Sequence, residues 1–221
     1  MLVNQVVRPL TKTESVFFLC VSILINAIGN ALTVCLNLGS AMWTASSANL
    51  SYFIHVRLDL ILIGFGTVII VINCCLRHRV DWGRIAKNFI FMIPFSLLVQ
   101  VFADAFSRWQ IQGLSLGVRI GLDLFGIVLI GMAVSIYQRV NVILHPNDDF
   151  MQTLRFDYCH GNAALAMWAS YIPPAIVLVV AVIGTRQILA INIGTAFSLA
   201  LQGSLVGWSD KLVFPRLKHQ L

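Results

Sequence analysis

Hydrophobic positions in this chain come in long unbroken runs. Residues 15–38, 58–76, 88–106, 114–137, 162–184 and 187–208 are each apolar over roughly the 20 helical residues needed to cross a hydrocarbon core about 30 Å thick. The runs do not alternate with a period of two, and a lipid-exposed backbone must satisfy its own hydrogen bonds, so each reads as a helix. The pattern therefore predicts an all-α integral membrane protein with six transmembrane helices.

Composition agrees: 58% of residues are hydrophobic, 11% are charged and the mean hydropathy is +0.86, against about 25% charged in soluble domains. Six spans in 221 residues leave connections too short for a second core, so residues 1–221 form a single domain. The net charge of +6 would suggest nucleic acid in a soluble chain; here the positive-inside rule accounts for it, and no nucleic acid is expected. Arg8, Lys12, Arg77, Arg79, Arg84, Lys87, Arg139, Arg155, Lys211, Arg216 and Lys218 fall on one side of the six-span layout, and only Arg57, Arg108, Arg119 and Arg186 on the other. The bias puts both termini in the cytoplasm. Trp82, Trp109, Tyr137, Tyr158 and Trp208 lie near span ends, where an aromatic belt belongs. The first run is too long for a cleavable signal peptide. Five cysteines without metal spacing read as small core residues.

The first three spans and the last three have a faint common grammar, which as three-helix halves would make inverted repeats, a frequent plan among transport proteins. In the first span, Ala27 and Ala31 bracket Gly29 and form a face almost free of side chains, fit for close packing against another helix of this chain or of a partner. Asn26 and Asn30 on the same span need hydrogen-bond partners, which argues against a lipid-facing surface. The uncharged connection 39–52 surrounds Met42, Trp43 and Tyr52 with small hydroxyl and amide residues. That mix suits a lid over a ligand, or a short interfacial helix anchored by Trp43. Asn37, Arg108, Trp109 and Gln112 belong to the same outer face. The pairs Asp104/Arg108 and Arg119/Asp123, spaced i, i+4, are placed to neutralise one another. His145, Asp148, Asp149, Asp157, Cys159 and His160 fall in a connection that reads as a solvated cytoplasmic loop, without a tight metal-ligand signature. No GxxxxGK[ST] loop and no nucleophile with a plausible adjacent base is visible, so no enzymatic activity is expected.

With the six-helix plan, Ala27-Ile28-Gly29-Asn30-Ala31 and the neutral first loop, the chain resembles the substrate-binding S-components of energy-coupling factor (ECF) transporters. The resemblance implies a bacterial plasma-membrane protein that captures a vitamin, with cobalamin as the leading ligand, and needs no cofactor of its own. It implies delivery to a transmembrane coupling subunit driven by two ATPases, docked through Ala27 and Ala31. Over roughly residues 25–145 the chain is also similar to the YczE/YitT group of small bacterial membrane proteins, carried by Leu38-Gly39-Ser40, Met42-Trp43-Thr44 and Pro146-Asn147-Asp148. That resemblance implies an autonomous transporter or exporter. The expected ligand contacts are Asn37, Met42, Trp43, Tyr52, Arg108, Trp109 and Gln112. An intramembrane enzyme built on His145, Asp148, Asp149 and His160 is a third, distant reading.

Overall fold

Helix α1 (Lys12–Leu36) begins in a capping box: Thr11 Oγ1 accepts the N–H of Glu14, and the Glu14 carboxylate accepts the N–H of Thr11. It ends where Asn37 turns left-handed, at φ 53°. A computed structural model describes residues 2–3 and 6–218 of the chain. Apart from a two-rung antiparallel pairing of β1 (Leu2–Val3) with β2 (Val6–Val7), the described residues are helices and their connections. After α1 come α2 (Met42–Ile54), α3 (Leu58–Leu76), α4 (Trp82–Arg108), α5 (Leu116–Val140), α6 (Pro146–Thr153), α7 (Ala163–Ser170), α8 (Ile172–Thr185) and α9 (Ile193–Leu212). A single π-type turn, Leu154–Tyr158, extends α6. The N-cap of α4 is Asp81, whose carboxylate accepts the N–H of Arg84; that bond holds its pKa below the ordinary value.

Among the described residues, five helical stretches are long and apolar enough to cross a membrane: α1, α3, α4, α5 and the stretch Leu165–Thr185 through α7 and α8. The protein is thus an all-α membrane-embedded protein. The sixth expected span, 187–208, is divided: 186–192 is irregular, and α9 carries Gly194, Thr195, Ser198, Gln202, Ser204, Ser209 and Asp210. Two expected connections are helical and inserted into the bundle. Most of 39–52 forms α2, and the supposed cytoplasmic loop contains α6, in which Pro146, Asp149, Phe150 and Thr153 are buried.

The centre of the bundle is an antiparallel crossing of α1 and α5. An added Cβ on Gly29 would stand 2.7 Å from the Gly126 carbonyl oxygen, and one on Gly126 would stand 2.8 Å from Thr33 Cγ2. Farther along, Arg119 on α5 donates to the Leu36 carbonyl at the end of α1 (2.7 Å), satisfying one of the carbonyls a helix terminus leaves open. The i, i+4 pair expected with Asp123 does not form, and Asp104 accepts a hydrogen bond from Gln100 (2.7 Å) instead of pairing with Arg108. Helix α4 packs parallel to α1, with Cys35 Sγ donating to the Ala103 carbonyl. Helix α9 packs parallel to α5, Gly131 against Leu205 and Ser135 Oγ donating to Asp210 (2.6 Å). The buried guanidinium of Arg139 closes the end of α9 by donating to the carbonyls of Val213, Phe214 and Leu217.

Ala27 and Ala31 are completely enclosed in the core formed by α1, α4 and α5. They are packing positions of this chain, and the face expected to dock a coupling subunit is already occupied. Tyr137 is also buried, so it does not join Trp82, Trp109, Tyr158 and Trp208 in the exposed belt. Among the cysteines, Cys35 alone is buried, while Cys20 and Cys75 are exposed.

Candidate functional site

The chain does the same thing at the ends of α1 and α5. Each helix stops at an asparagine in the left-handed conformation, Asn37 and Asn141, and each asparagine is followed five residues later by the first residue of a short helix. Neither short helix lies on the surface. Helix α2 runs parallel to α8, where Ser46 Oγ donates to the Pro174 carbonyl (2.7 Å) and Phe53 packs against Gly184. Helix α6 runs parallel to α3, with Pro146 beside Gly66 and Asp149 bonded to Asn73. Both short helices therefore start inside the bundle and run outward to opposite ends.

Each is tied back to the long helix before it through its third residue. Thr44 Oγ1 donates to Asn30 Oδ1 at 2.5 Å, seven residues or about 10 Å below the end of α1. The Tyr137 hydroxyl donates to Asp148 Oδ2 at 2.6 Å. Asn30 in turn donates to Asn26 Oδ1 (2.8 Å), so the two asparagines of α1 are bonded to one another within the bundle. His145, the N-cap of α6, accepts the Asn147 N–H on Nδ1 and packs edge-on against Phe91 and Phe95, Phe95 being the midpoint of α4. A ring nitrogen that accepts a hydrogen bond carries no proton, so this imidazole is neutral.

Between the two first turns is a cavity of about 330 Å³, at the lower end of the range for small-molecule sites. Its walls come from α1 (Asn26, Asn30), α2 (Trp43, Thr44, Ser47), α3 (Leu62, Phe65, Gly66), α5 (Ile130, Val134, Gln138), α6 with its N-cap (His145, Asn147, Asp148, Met151), α7 (Met167, Ser170) and α9 (Gln202, Gly203, Val206), with Phe95 and Tyr171 between them. Asp148 is the one charged lining residue; no lysine or arginine borders the cavity.

Hydrogen bonds tie the structure together on both sides of this space. Next to α2, Ser40 N–H donates to the Ala190 carbonyl (3.0 Å), Gly194 N–H to Leu38 (3.0 Å) and Ala190 N–H to Asn37 Oδ1 (2.5 Å), while Asn49 exchanges two hydrogen bonds with Leu189. Gly39 adopts φ +144° there and lies against the backbone of Gly194 and Thr195, a conformation and proximity that need glycine. Next to α6, the buried Asp149 accepts from Arg84, Asn73 and Asn88, with Arg77 at 3.9 Å.

Of the ligand contacts expected from the sequence, Trp43 alone lines the cavity. Met42 is half-buried beside it, and Asn37 supports the crossing of 38–40 with 189–195. Tyr52 and Trp109 are exposed, Gln112 donates to the Cys35 carbonyl (2.6 Å), and Arg108 lies in the last turn of α4. These residues do not form one outer pocket, because the segment carrying Met42, Trp43 and Tyr52 is a helix that starts inside the bundle and carries Tyr52 away from the cavity. His145 and Asp148 are cavity residues, Asp149 is held in its ion cluster, and no three metal-ligating side chains converge among the described residues.

The chain matches, over residues 13–211, a family described as a family of unknown function (DUF6198), and it belongs to that family. No curated protein and no solved structure matches it.

Proposed function

We propose that this member of the DUF6198 family is a small-solute transporter built from two inverted halves around the central cavity. The observation that carries the reading is the pair of short helices, α2 and α6, which begin on either side of one cavity and leave toward opposite ends. In this reading α1–α4 and α5–α9 are the halves, and α1 corresponds to α5, α2 to α6, α3 to the α7–α8 stretch and α4 to α9. The parallel packing of α1 with α4 is repeated by α5 with α9, and that of α2 with α8 by α6 with α3. Broken helices meeting at a repeat interface are a known plan for binding sites in secondary transporters.

Helix α9 supplies the sixth crossing, with Thr195, Ser198 and Ser209 buried and Gln202 lining the cavity. With six crossings both termini lie on one side, which the distribution of basic residues assigns to the cytoplasm of a bacterial cell. The crossing of 38–40 with 189–195 is then the outer closure, and the Asp149 cluster the inner one. Energy for uphill movement comes from an ion gradient, since no phosphate-binding loop is present.

Two observations weigh against a vitamin-capture subunit. The face that would dock the coupling subunit is the internal α1 core, and a corrinoid far exceeds a cavity of about 330 Å³.

Proteoliposomes containing this chain alone test the proposal. They are expected to exchange at least one solute from a panel of small cations, zwitterions and anions. Gly203→Phe is expected to abolish that exchange without reducing the folded yield, because Gly203 lines the cavity and has open space around its Cβ position. Failure of the chain alone to move any solute, with exchange restored by added ATPase and coupling subunits, would favour the capture reading.

A further inference from the structure

We infer that the central cavity binds a small organic cation, held by the Asp148 carboxylate and enclosed by the aromatic rings of Trp43, Phe65, Phe95 and Tyr171. The inference rests on the transport reading for the purpose of the site, while the ligand class comes from the lining itself.

Charge decides first. Asp148 borders the cavity, and the one hydrogen bond to its carboxylate among the described residues comes from Tyr137 to Oδ2, which leaves Oδ1 for a ligand. No lysine or arginine is in the lining, and His145 is neutral because its Nδ1 accepts the Asn147 N–H. The opposing field is that of helix ends. The start of α6 carries roughly half a positive charge, offset by Asp148 and Asp149 in its own first turn. The start of α2 has no side-chain cap and carries a similar half charge. Those helix-end charges are spread over backbone N–H groups, whereas the Asp148 charge sits on the one charged side chain of the lining, so the group a ligand meets at bonding distance favours a cation.

Ring faces decide the kind of cation. Trp43 and Phe65 lie 5.3 Å apart at 55°, and both rings line the same space as Phe95 and Tyr171. Such surfaces attract ammonium groups, more strongly when water is excluded, and are the usual means of recognising alkylated ammonium. A hard inorganic cation favours several converging, mostly anionic oxygen ligands, whereas Asp148 is the one carboxylate of the lining and the described residues contain no group of three His, Cys, Asp or Glu side chains. Asn26 and Gln202 carry amide groups for a hydroxyl or carbonyl on the remainder of the ligand.

Choline and its neutral isostere 3,3-dimethylbutan-1-ol, with tetramethylammonium and butyrate, form the test panel. The detergent-solubilised full chain is titrated with each by calorimetry. Choline is expected to bind at least about tenfold more tightly than the neutral isostere, the scale of a desolvated cation–π contact with a counter-charge. Asp148→Asn is expected to remove that preference, and Asp148→Glu to retain most of it. Trp43→Leu is expected to weaken choline more than the isostere, whereas general loosening of the fold would weaken both alike. Equal affinity for choline and the isostere, tighter butyrate binding, an undiminished preference in Asp148→Asn, or no binding of either cation would each overturn the inference. Cation binding without exchange by proteoliposomes would leave the ligand class standing and remove the transport reading. Exchange of an anion alone would do the reverse.

Discussion

Arg84→Ala is expected to destabilise the protein by about 3 kcal/mol, the lower end of the cost of removing one partner from a buried ion pair. Asp149 is 1% exposed, and Arg84 reaches it through two guanidinium nitrogens from the first turn of α4. Without that charge the carboxylate stays enclosed with only the amides of Asn73 and Asn88 and the more distant Arg77 to stabilise it. That residual support keeps the loss near the lower figure. For a chain of this size the loss corresponds to a melting temperature lower by roughly 6–12 °C, measured by thermal unfolding in detergent. The double variant Arg84→Ala/Asp149→Ala is expected to lose clearly less than the sum of the single variants, because no uncompensated charge remains. Additive losses would show that the two residues act independently. The same cluster is the inner closure of the proposed transporter, so a folded Arg84→Ala fraction is also expected to leak solute.

Gly29→Leu is expected to have an effect as large, from the opposite cause. At this crossing α1 and α5 approach with no space for a side chain: a Cβ on Gly29 would also meet Ile130 Cγ1 at 2.9 Å, besides the Gly126 backbone oxygen. Rigid backbone cannot yield as a flexible side chain does, so overpacking costs about 3 kcal/mol or more and separates the central helices. Gly121, also on α5, has nothing within 4 Å of its Cβ position, and Gly121→Leu is expected to be neutral or slightly stabilising through its better helix propensity. Folded yield and melting temperature of the two variants give the comparison. Equal behaviour would mean that the α1–α5 crossing is looser than these distances require.

The long helices were legible because a bilayer-length apolar run has few alternatives. The stretch 58–76 coincides with α3, and 15–38 differs from α1 by only two or three residues at each end. The short helices were not legible, for a physical reason. At 13 and 8 residues, α2 and α6 are too short for a span, and their serines, threonines, asparagines and aspartates resemble those of a connection. Only the packing of α8 and α3 alongside reveals that they are inserted. Asn26 and Asn30 signalled correctly that their face of α1 avoids lipid, since a polar side chain there needs a partner wherever it points. Ala27 and Ala31 signalled close packing but carried no information on which helix would pack there, and the chain's own core took that place. Asp148 was hidden for a related reason: an aspartate following Pro146-Asn147 looks like a solvated turn until Tyr137 is seen to reach it.

The proposed transport requires that one cavity be reached in turn from both faces of the membrane. A single cysteine in place of Val134, which lines the cavity from α5, tests it most directly in a background free of the five native cysteines, with a membrane-impermeant thiol reagent applied separately to each side of sealed vesicles. Labelling from both sides is expected, with a cavity ligand protecting the site in each case. Labelling from one side only, however long the exposure, or no labelling of a folded protein from either side, would contradict it.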